Sequence, residues 1–197
     1  MDELLQKTWN GERVSEAEAL RLYSLPLETL GALAHRRREL AKAKAFDGRG
    51  NDIITFSIDR NINYTNICTF RCGFCAFSKG KMSENLRGKP YDLKLEEIVL
   101  RTKEAWERGA TEVCLQGGIH PNYTGQTYLD ICTAIKTAVP DMHIHAFSPL
   151  EIWQGAQTLG LSVAEFLRRL RAAGLDTLPG TAAEILDDEV QIGRAHV

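Results

Sequence analysis

The chain has no long apolar run, no excess of charge of either sign, and no repeated or low-complexity segment. No stretch approaches the ~20 apolar residues that a membrane-spanning helix needs, so we expect no membrane association. Lysine and arginine total 24 against 26 aspartates and glutamates, which gives no electrostatic reason to expect nucleic acid as a partner. The N-terminus lacks the apolar segment of a signal peptide, which favours the cytoplasm. With 44% hydrophobic residues, the 197-residue chain has the composition of a globular protein.

Cysteine is also scarce, yet three of the five cysteines lie in one short run, NICTFRCGFCAF. Cys68, Cys72 and Cys75 have the spacing C-x3-C-x2-C, which puts three thiolates on one loop. A cubane iron–sulfur cluster has four irons, so three thiolates leave one iron open to another ligand. An aromatic side chain beside it, here Phe74, is typical of sites that hold S-adenosylmethionine for reductive cleavage. The spacing therefore predicts a radical-generating enzyme that uses a [4Fe-4S] cluster and S-adenosylmethionine.

Other uses of these cysteines have less support in the sequence. Disulfides are disfavoured because the cytosol keeps thiols reduced. A structural zinc site needs a fourth ligand, which only the distant Cys114 or His120 could supply. A ferredoxin-type loop would carry a fourth cysteine where this chain continues with Ala76 and Phe77. Cys132 lies in a helical pattern and is predicted to be a small buried residue. A non-catalytic iron–sulfur or zinc-binding fragment stays open as an alternative.

The pattern of apolar residues divides the chain in two. Residues 1–50 are predicted to form helices and a linker, with Ser15 and Glu18 in a capping box. Residues 51–191 alternate between strands and helices, which predicts a parallel sheet built from βα units. About four strands are expected, within IITFSIDRNINYTN, TEVCLQ, MHIHAF and DTLP. The predicted fold class is α/β, an open, partial (β/α) barrel preceded by a helical segment.

Alternation along the strands predicts which side chains face the inside of such a barrel. The apolar residues at alternate positions suit the outer face, which packs against helices. The inward set is then Glu112, Cys114 and Gln116 on the second strand and His143, His145 and Phe147 on the third. Buried polar groups cost free energy unless they are hydrogen-bonded or used. A set that converges at the carboxyl ends of strands predicts a substrate site, although a structural network explains any single residue equally well.

Four segments resemble one family of radical S-adenosylmethionine enzymes: CTFRCGFCAFSKGK, CLQGGIHPNYTGQTY, MHIHAFSPLEIWQGA and LPGTAAEILDDEV. From about Ile53 to Val190 the chain is similar to the tyrosine-using subunit of deazaflavin (FO) synthase. The resemblance implies a 5′-deoxyadenosyl radical that activates L-tyrosine, whose Cα–Cβ bond then breaks. The 4-hydroxybenzyl group is transferred to 5-amino-6-(D-ribitylamino)uracil. The implied protein partners are a reductant protein and the ring-closing FO synthase subunit.

The same resemblance implies which residues hold the cofactors. The three cysteines of the loop would ligate the cluster, and Phe74 would lie near the adenine of S-adenosylmethionine. Gln116, Gly117 and Gly118 would offer backbone groups to its amino end. Two glycines permit the close backbone approach that a bound ligand needs.

Five further residues are candidates for contacts with ribose or substrate. Ser148 is implied as a cofactor contact, and Glu151 and Glu184 as substrate contacts. His143 or His145 could hold a substrate group or move a proton, because imidazole titrates near neutral pH.

The main alternative enzyme is the dehypoxanthine futalosine cyclase of menaquinone biosynthesis, which shares the cysteine loop and a similar glycine pair. The segments SKGK and TAAEIL favour the deazaflavin enzyme. The family's barrel has six strands, so we expect this chain to be a C-terminally truncated part of the enzyme and inactive alone. Residues 192–197, IGRAHV, are the translation of a common sequencing-adapter stretch and are predicted to be a non-native tail.

Overall fold

A computed structural model describes residues 2–70, Cys75 and residues 89–180. The chain divides into two compact units, Met1–Phe56 and Ser57–Val197. The first contains helices α1 (Glu3–Trp9), α2 (Glu16–Tyr23) and α3 (Leu27–Lys42), and a 3-10 turn at Gly50–Asp52. The second contains β1 (Asp59–Asn63), α4 (Leu95–Glu107), β2 (Glu112–Gln116), α5 (Gly125–Ala138), β3 (His143–Ala146), α6 (Pro149–Thr158) and α7 (Val163–Ala172). None of the described helices is long and apolar enough to cross a membrane.

Helix caps and ion pairs hold the first unit together. The Ser15 hydroxyl accepts the Glu18 N–H at 3.3 Å, and the Glu18 carboxylate accepts the Ser15 N–H at 2.7 Å, which confirms the predicted capping box. Lys7 Nζ donates to both carboxylate oxygens of Glu18 at 2.8 Å and so links α1 to α2. Helix α2 buries no residue, and α3 buries only Leu33. The apolar core of this unit is therefore small.

The second unit is built on a parallel sheet with the strand order β1-β2-β3. Its register places Asn61 beside Cys114 and Cys114 beside His145. On one face, Leu115 and Ile144 are fully buried in the apolar core that the helices contribute to. The polar residues at alternate positions of β2 and β3 are half-buried. The described residues thus confirm the α/β class with a partial, open sheet, and they confirm which face of β2 and β3 packs against helices.

Cys132 also lies where the sequence predicts. It is fully buried in α5 within the apolar core. Burial raises the pKa of its thiol to about 12. Cys132 therefore packs as a small apolar side chain.

Two expectations about the strands need correction. In the described residues the predicted fourth strand is a single parallel bridge between Thr177 and His145, and the Ala146 N–H donates to the Thr177 carbonyl at 3.0 Å. Phe147 does not continue the inward set of β3. It adopts φ +67°, which ends the strand alternation, and its ring centroid lies 4.8 Å from that of Tyr128 in the apolar core. A left-handed backbone is uncommon for a bulky residue, and here it turns the ring into the core.

Candidate cofactor site at the carboxyl edge of the sheet

The cysteine loop follows β1 and lies against the end of β2. Cys68 is half-buried, and its Sγ accepts the backbone N–H of Ile119 at 3.3 Å. The Thr69 N–H donates to the Ile119 carbonyl at 2.8 Å, which fixes the backbone on the far side of the cysteine. Hydrogen bonds to cysteine sulfur are among the features that tune iron–sulfur clusters. The sulfur of Cys68 thus has a backbone donor, and its role as a cluster ligand stays a prediction.

Gly117 and Gly118 allow the cysteine loop to pack directly on β2. A Cβ on Gly118 would lie 2.3 Å from the Ile67 carbonyl oxygen and 2.9 Å from the Cβ of Cys68. A Cβ on Gly117 would lie 2.4 Å from the ring of Tyr64. Any other residue at either position would collide with its neighbours. The fold itself thus requires both glycines, and their contact with S-adenosylmethionine stays a prediction.

Glu151 is a fully buried carboxylate at the start of α6. Its Oε1 accepts the Gly117 N–H at 3.1 Å and the hydroxyl of Tyr64, and its Oε2 accepts the Ser148 N–H at 2.6 Å. Burial raises the pKa of Glu151, and these hydrogen bonds oppose that shift. Glu151 therefore ties the ends of β1 and β2 to α6. Its contact with substrate, and that of Ser148 with the cofactor, stay predictions.

Aromatic rings pack beside the glycine pair. The ring centroids of Tyr64 and Tyr123 are 6.1 Å apart, and those of Tyr123 and Tyr128 are 6.3 Å apart. The hydroxyl of Tyr128 is buried and has no hydrogen-bond partner within the described residues. Burial and the charges of Glu151, Tyr123 and Cys68 raise the pKa of Tyr128. An unsatisfied buried hydroxyl is rare in folded proteins.

His120 is buried close to the same loop. Its Nδ1 accepts the Asn122 N–H at 3.1 Å, so the neutral ring carries its proton on Nε2, which lies 3.9 Å from the Asp92 carboxylate. The Tyr123 hydroxyl also donates to Asp92. Both nitrogens of His120 therefore face groups of the chain. Within residues 2–70, Cys75 and 89–180, no three metal-ligating side chains come together, so the zinc alternative gains no support there.

The two candidate histidines lie on β3, on the half-buried face of the sheet. His143 is the first residue of β3 and pairs with Glu112, the first of β2. Thr177 Oγ1 lies 2.8 Å from Nε2 of His143 and 2.7 Å from Nδ1 of His145. At a rise of about 3.3 Å per residue, Glu112 is about 13 Å from Gln116 along β2. Gln116 therefore lies at the carboxyl edge of the sheet as predicted, but Glu112 and His143 lie at the opposite edge. Proton transfer by His143 or His145 stays a prediction.

Comparison with known proteins identifies the family. The family model of the radical SAM superfamily matches residues 62–195. The chain belongs to the radical SAM superfamily. It is 46% identical to FO synthase of Streptomyces avermitilis over 179 residues, which cover 91% of this chain and 20% of that protein. It is 43% identical to the 5-amino-6-(D-ribitylamino)uracil–L-tyrosine 4-hydroxyphenyl transferase of Methanothermobacter thermautotrophicus over 188 residues, which cover 95% of this chain and 48% of that protein.

Two solved structures share the fold of this chain. The FeFe-hydrogenase maturase HydG of Carboxydothermus hydrogenoformans has a TM-score of 0.59 and 21% identity, over 89% of this chain and 46% of that chain. Methylornithine synthase has a TM-score of 0.56 and 18% identity, over 89% of this chain and 57% of that chain. The chain thus spans about half or less of the curated relatives above, and the solved structures support its fold.

The described residues fit the cofactors of a radical SAM enzyme. Cys68 and Cys75 are both half-buried on the loop after β1, and the sulfur of Cys68 has a backbone donor. Thiolates are suitable ligands for iron–sulfur clusters. Three further predicted site residues lie outside the described residues: Cys72, Phe74 and Glu184.

The sequence analysis missed the residues that form the base of the cysteine loop. Tyr64, Thr65 and Asn66 are fully or almost fully buried, and they join the end of β1 to the chain around Tyr91. A signal for them was available in NYTN (residues 63–66), where hydrogen-bonding residues follow the predicted strand and end two positions before the first cysteine. Where such residues are buried, their polar groups need hydrogen-bond partners.

Proposed function

We propose that the chain is part of a radical SAM transferase that cleaves the side chain of L-tyrosine and transfers the 4-hydroxybenzyl group to 5-amino-6-(D-ribitylamino)uracil. The similarity over 188 residues to a transferase named for these two compounds carries the proposal. The hydrogen bond from the Ile119 N–H to the sulfur of Cys68 supports the proposal. The proposed chemistry depends on metal binding by the loop that contains this cysteine.

In this proposal Cys68, Cys72 and Cys75 ligate a [4Fe-4S] cluster, and S-adenosylmethionine binds the open iron beside Phe74. Together these cofactors supply a carbon-centred radical when they are bound. The hydrogen bonds that Glu151 accepts from the Gly117 N–H and the Tyr64 hydroxyl would hold the ends of β2 and β1 against α6. A site fixed in this way orients reactants and limits side reactions, which is the protein's main contribution when a cofactor carries the chemistry.

The proposal assigns the remaining candidates to cofactor and substrate contacts. Gln116, Gly117, Gly118 and Ser148 would contact S-adenosylmethionine, Glu151 and Glu184 would contact the substrates or order the groups that do, and His143 or His145 would move protons. A reductant protein would supply electrons, and the ring-closing FO synthase subunit would take the product. We propose the cytoplasm as the location, since the cluster thiolates need a reducing compartment, and neither nucleic acid nor membrane as a partner.

Anaerobic reconstitution of the chain with iron and sulfide tests this proposal. We expect the wild-type chain to bind iron and sulfide and to show the broad visible absorption of a cubane cluster, and Cys68→Ala to lose both. Cys114→Ala is the matched control, because Cys114 is half-buried outside the loop and should leave the cluster intact. Adding S-adenosylmethionine, a strong reductant and both substrates should yield 5′-deoxyadenosine and the coupled product in an enzyme that contains the whole active site.

The outcomes separate the competing functions. A wild-type chain that binds no cluster contradicts the proposal. A chain that binds zinc in preference to iron, with four protein ligands, supports a structural metal module. Consumption of S-adenosylmethionine without any dependence on tyrosine would contradict the transferase assignment while leaving the superfamily assignment in place.

A further inference from the structure

Asn66 lies two residues before Cys68 and is 4% exposed. Its side chain bonds to the backbone of the segment that follows the cysteine loop. Nδ2 donates to the Lys89 carbonyl at 3.1 Å, and Oδ1 accepts the Tyr91 N–H at 2.8 Å. The backbone N–H of Asn66 also donates to the Tyr91 carbonyl at 3.3 Å. One buried amide thus fixes the two ends of the loop against each other.

The neighbours of Asn66 strengthen the same junction. Thr65 Oγ1 donates to the Tyr91 carbonyl at 2.9 Å and accepts the Ile67 N–H at 3.2 Å. The Leu93 N–H donates to the Tyr64 carbonyl at 2.8 Å. These bonds and those of Asn66 close the base of the loop that carries all three cysteines.

Cys68 is then held from a second side by the end of β2. The Gly118 N–H donates to the Thr65 carbonyl at 2.9 Å, and the Ile119 N–H donates to the sulfur of Cys68. The backbone that leads into Cys68 therefore lies between two fixed partners, the segment 89–93 and the end of β2.

We propose that Asn66 is a positioning residue for the cluster ligands: it holds the loop base so that the Cys68 thiolate is in place before iron arrives. The inference rests on the proposed function, because it presumes that the loop binds a cluster. Bringing the ends of a flexible loop together costs conformational entropy. A base that is already closed removes this cost from cluster binding. Loss of the amide would leave the Lys89 carbonyl and the Tyr91 N–H without their partners.

Cluster loading of Asn66→Ala tests the inference without any assay of turnover. The 197-residue chain is reconstituted anaerobically at a series of iron concentrations, and bound iron, bound sulfide and visible absorption are measured. We expect the apparent affinity for the cluster to fall about tenfold in Asn66→Ala, with the circular dichroism and thermal midpoint of the metal-free chain little changed. Asn66→Asp, which keeps the acceptor for the Tyr91 N–H but loses the donor to Lys89, should fall between Asn66→Ala and wild type.

Asn51→Ala is the matched control. Asn51 Nδ2 also donates to a backbone carbonyl, that of Glu39 at 3.2 Å, but in the first unit. We expect it to load like wild type. Equal loading of wild type and Asn66→Ala overturns the inference, and so does loss of the metal-free fold in Asn66→Ala, which would make Asn66 a general stabiliser of the unit. If wild type itself takes up no cluster, the proposed function fails instead.

Discussion

The two units of the chain are stabilised by different forces. In Met1–Phe56, the helix α2 buries no residue, and its contacts include the capping box and the ion pairs of Lys7 with Glu18 and of Arg21 with Asp2. In Ser57–Val197, the sheet buries Val113, Leu115, Ile144 and Ala146 completely. Exposed ion pairs are screened by water and salt, whereas burial of apolar surface is not. The second unit therefore has an apolar core that can hold a set of ligands at fixed distances. The apolar core of the first unit is smaller.

Removal of a core side chain should give the largest difference between the units in the free energy of unfolding. Ile144→Ala leaves a cavity in the sheet and should destabilise the second unit by about 2–5 kcal/mol. Ile54→Ala in the first unit, where Ile54 is 91% exposed, should change stability by less than about 0.5 kcal/mol. Amide hydrogen exchange, analysed separately for peptides of each unit, measures both effects. Equal effects of the two substitutions would contradict the contrast.

Glycine substitutions should act in opposite directions in the two units. Gly118→Ala forces a methyl group against the Ile67 carbonyl and should cost about 1–3 kcal/mol, with loss of the bond between the Ile119 N–H and Cys68. Gly31→Ala lies in α3 with no atom within 4 Å of the new methyl group, and should stabilise that helix by up to about 1 kcal/mol. Chemical denaturation and hydrogen exchange measure the two signs. A stabilising Gly118→Ala would show that the loop does not pack on β2 as described.

A change in pH should have the smallest effect on stability. The effect should have opposite signs for Glu18 in the first unit and Glu151 in the second. The hydrogen bond from Lys7, then that from the Ser15 N–H, lowers the pKa of Glu18 from 4.5 to about 2. Its contribution to the first unit is therefore present above pH 4.5 and is lost as the pH falls towards 2. Burial raises the pKa of Glu151 above 4.5, so the stability of the second unit falls as the pH rises through that value.

Glutamine substitutions assign these pH responses to their residues. We expect Glu18→Gln to flatten the acid response of the first unit, and Glu151→Gln to flatten that of the second. Hydrogen exchange measured between pH 3 and 6, corrected for the intrinsic rate, reports each unit. High salt should weaken the Glu18 response because that ion pair is partly exposed. An unchanged acid response in Glu18→Gln would contradict the assignment.

Local patterns in the sequence were sufficient for much of the fold. The alternation of strand and helix patterns over residues 51–191 predicted a parallel sheet built from βα units, and β1, β2 and β3 form such a sheet. The capping box at Ser15 follows from two residues three positions apart. Such features depend on neighbours in the chain, so the sequence contains the information directly.

Phe147 and His143 show where local patterns fail. Strand alternation predicted an inward Phe147, but its positive φ turns the ring into the core. Alternation places His143 on the correct face of the sheet but gives no position along the strand relative to the cysteine loop. That position follows from the register of β2 and β3, which pairs His143 with Glu112 at the amino ends.

The sequence by itself predicted the chemistry that we propose for this protein, because three cysteines with the spacing of Cys68, Cys72 and Cys75 would leave an iron–sulfur cluster one ligand short. Only the tertiary structure decided how the loop is held. Hydrogen bonds join residues that are far apart in the sequence: Asn66 with Tyr91, Gly118 with Thr65, and Glu151 with Gly117. Hydrogen bonds of this kind form between groups that folding brings together, so no local pattern in the sequence reveals them.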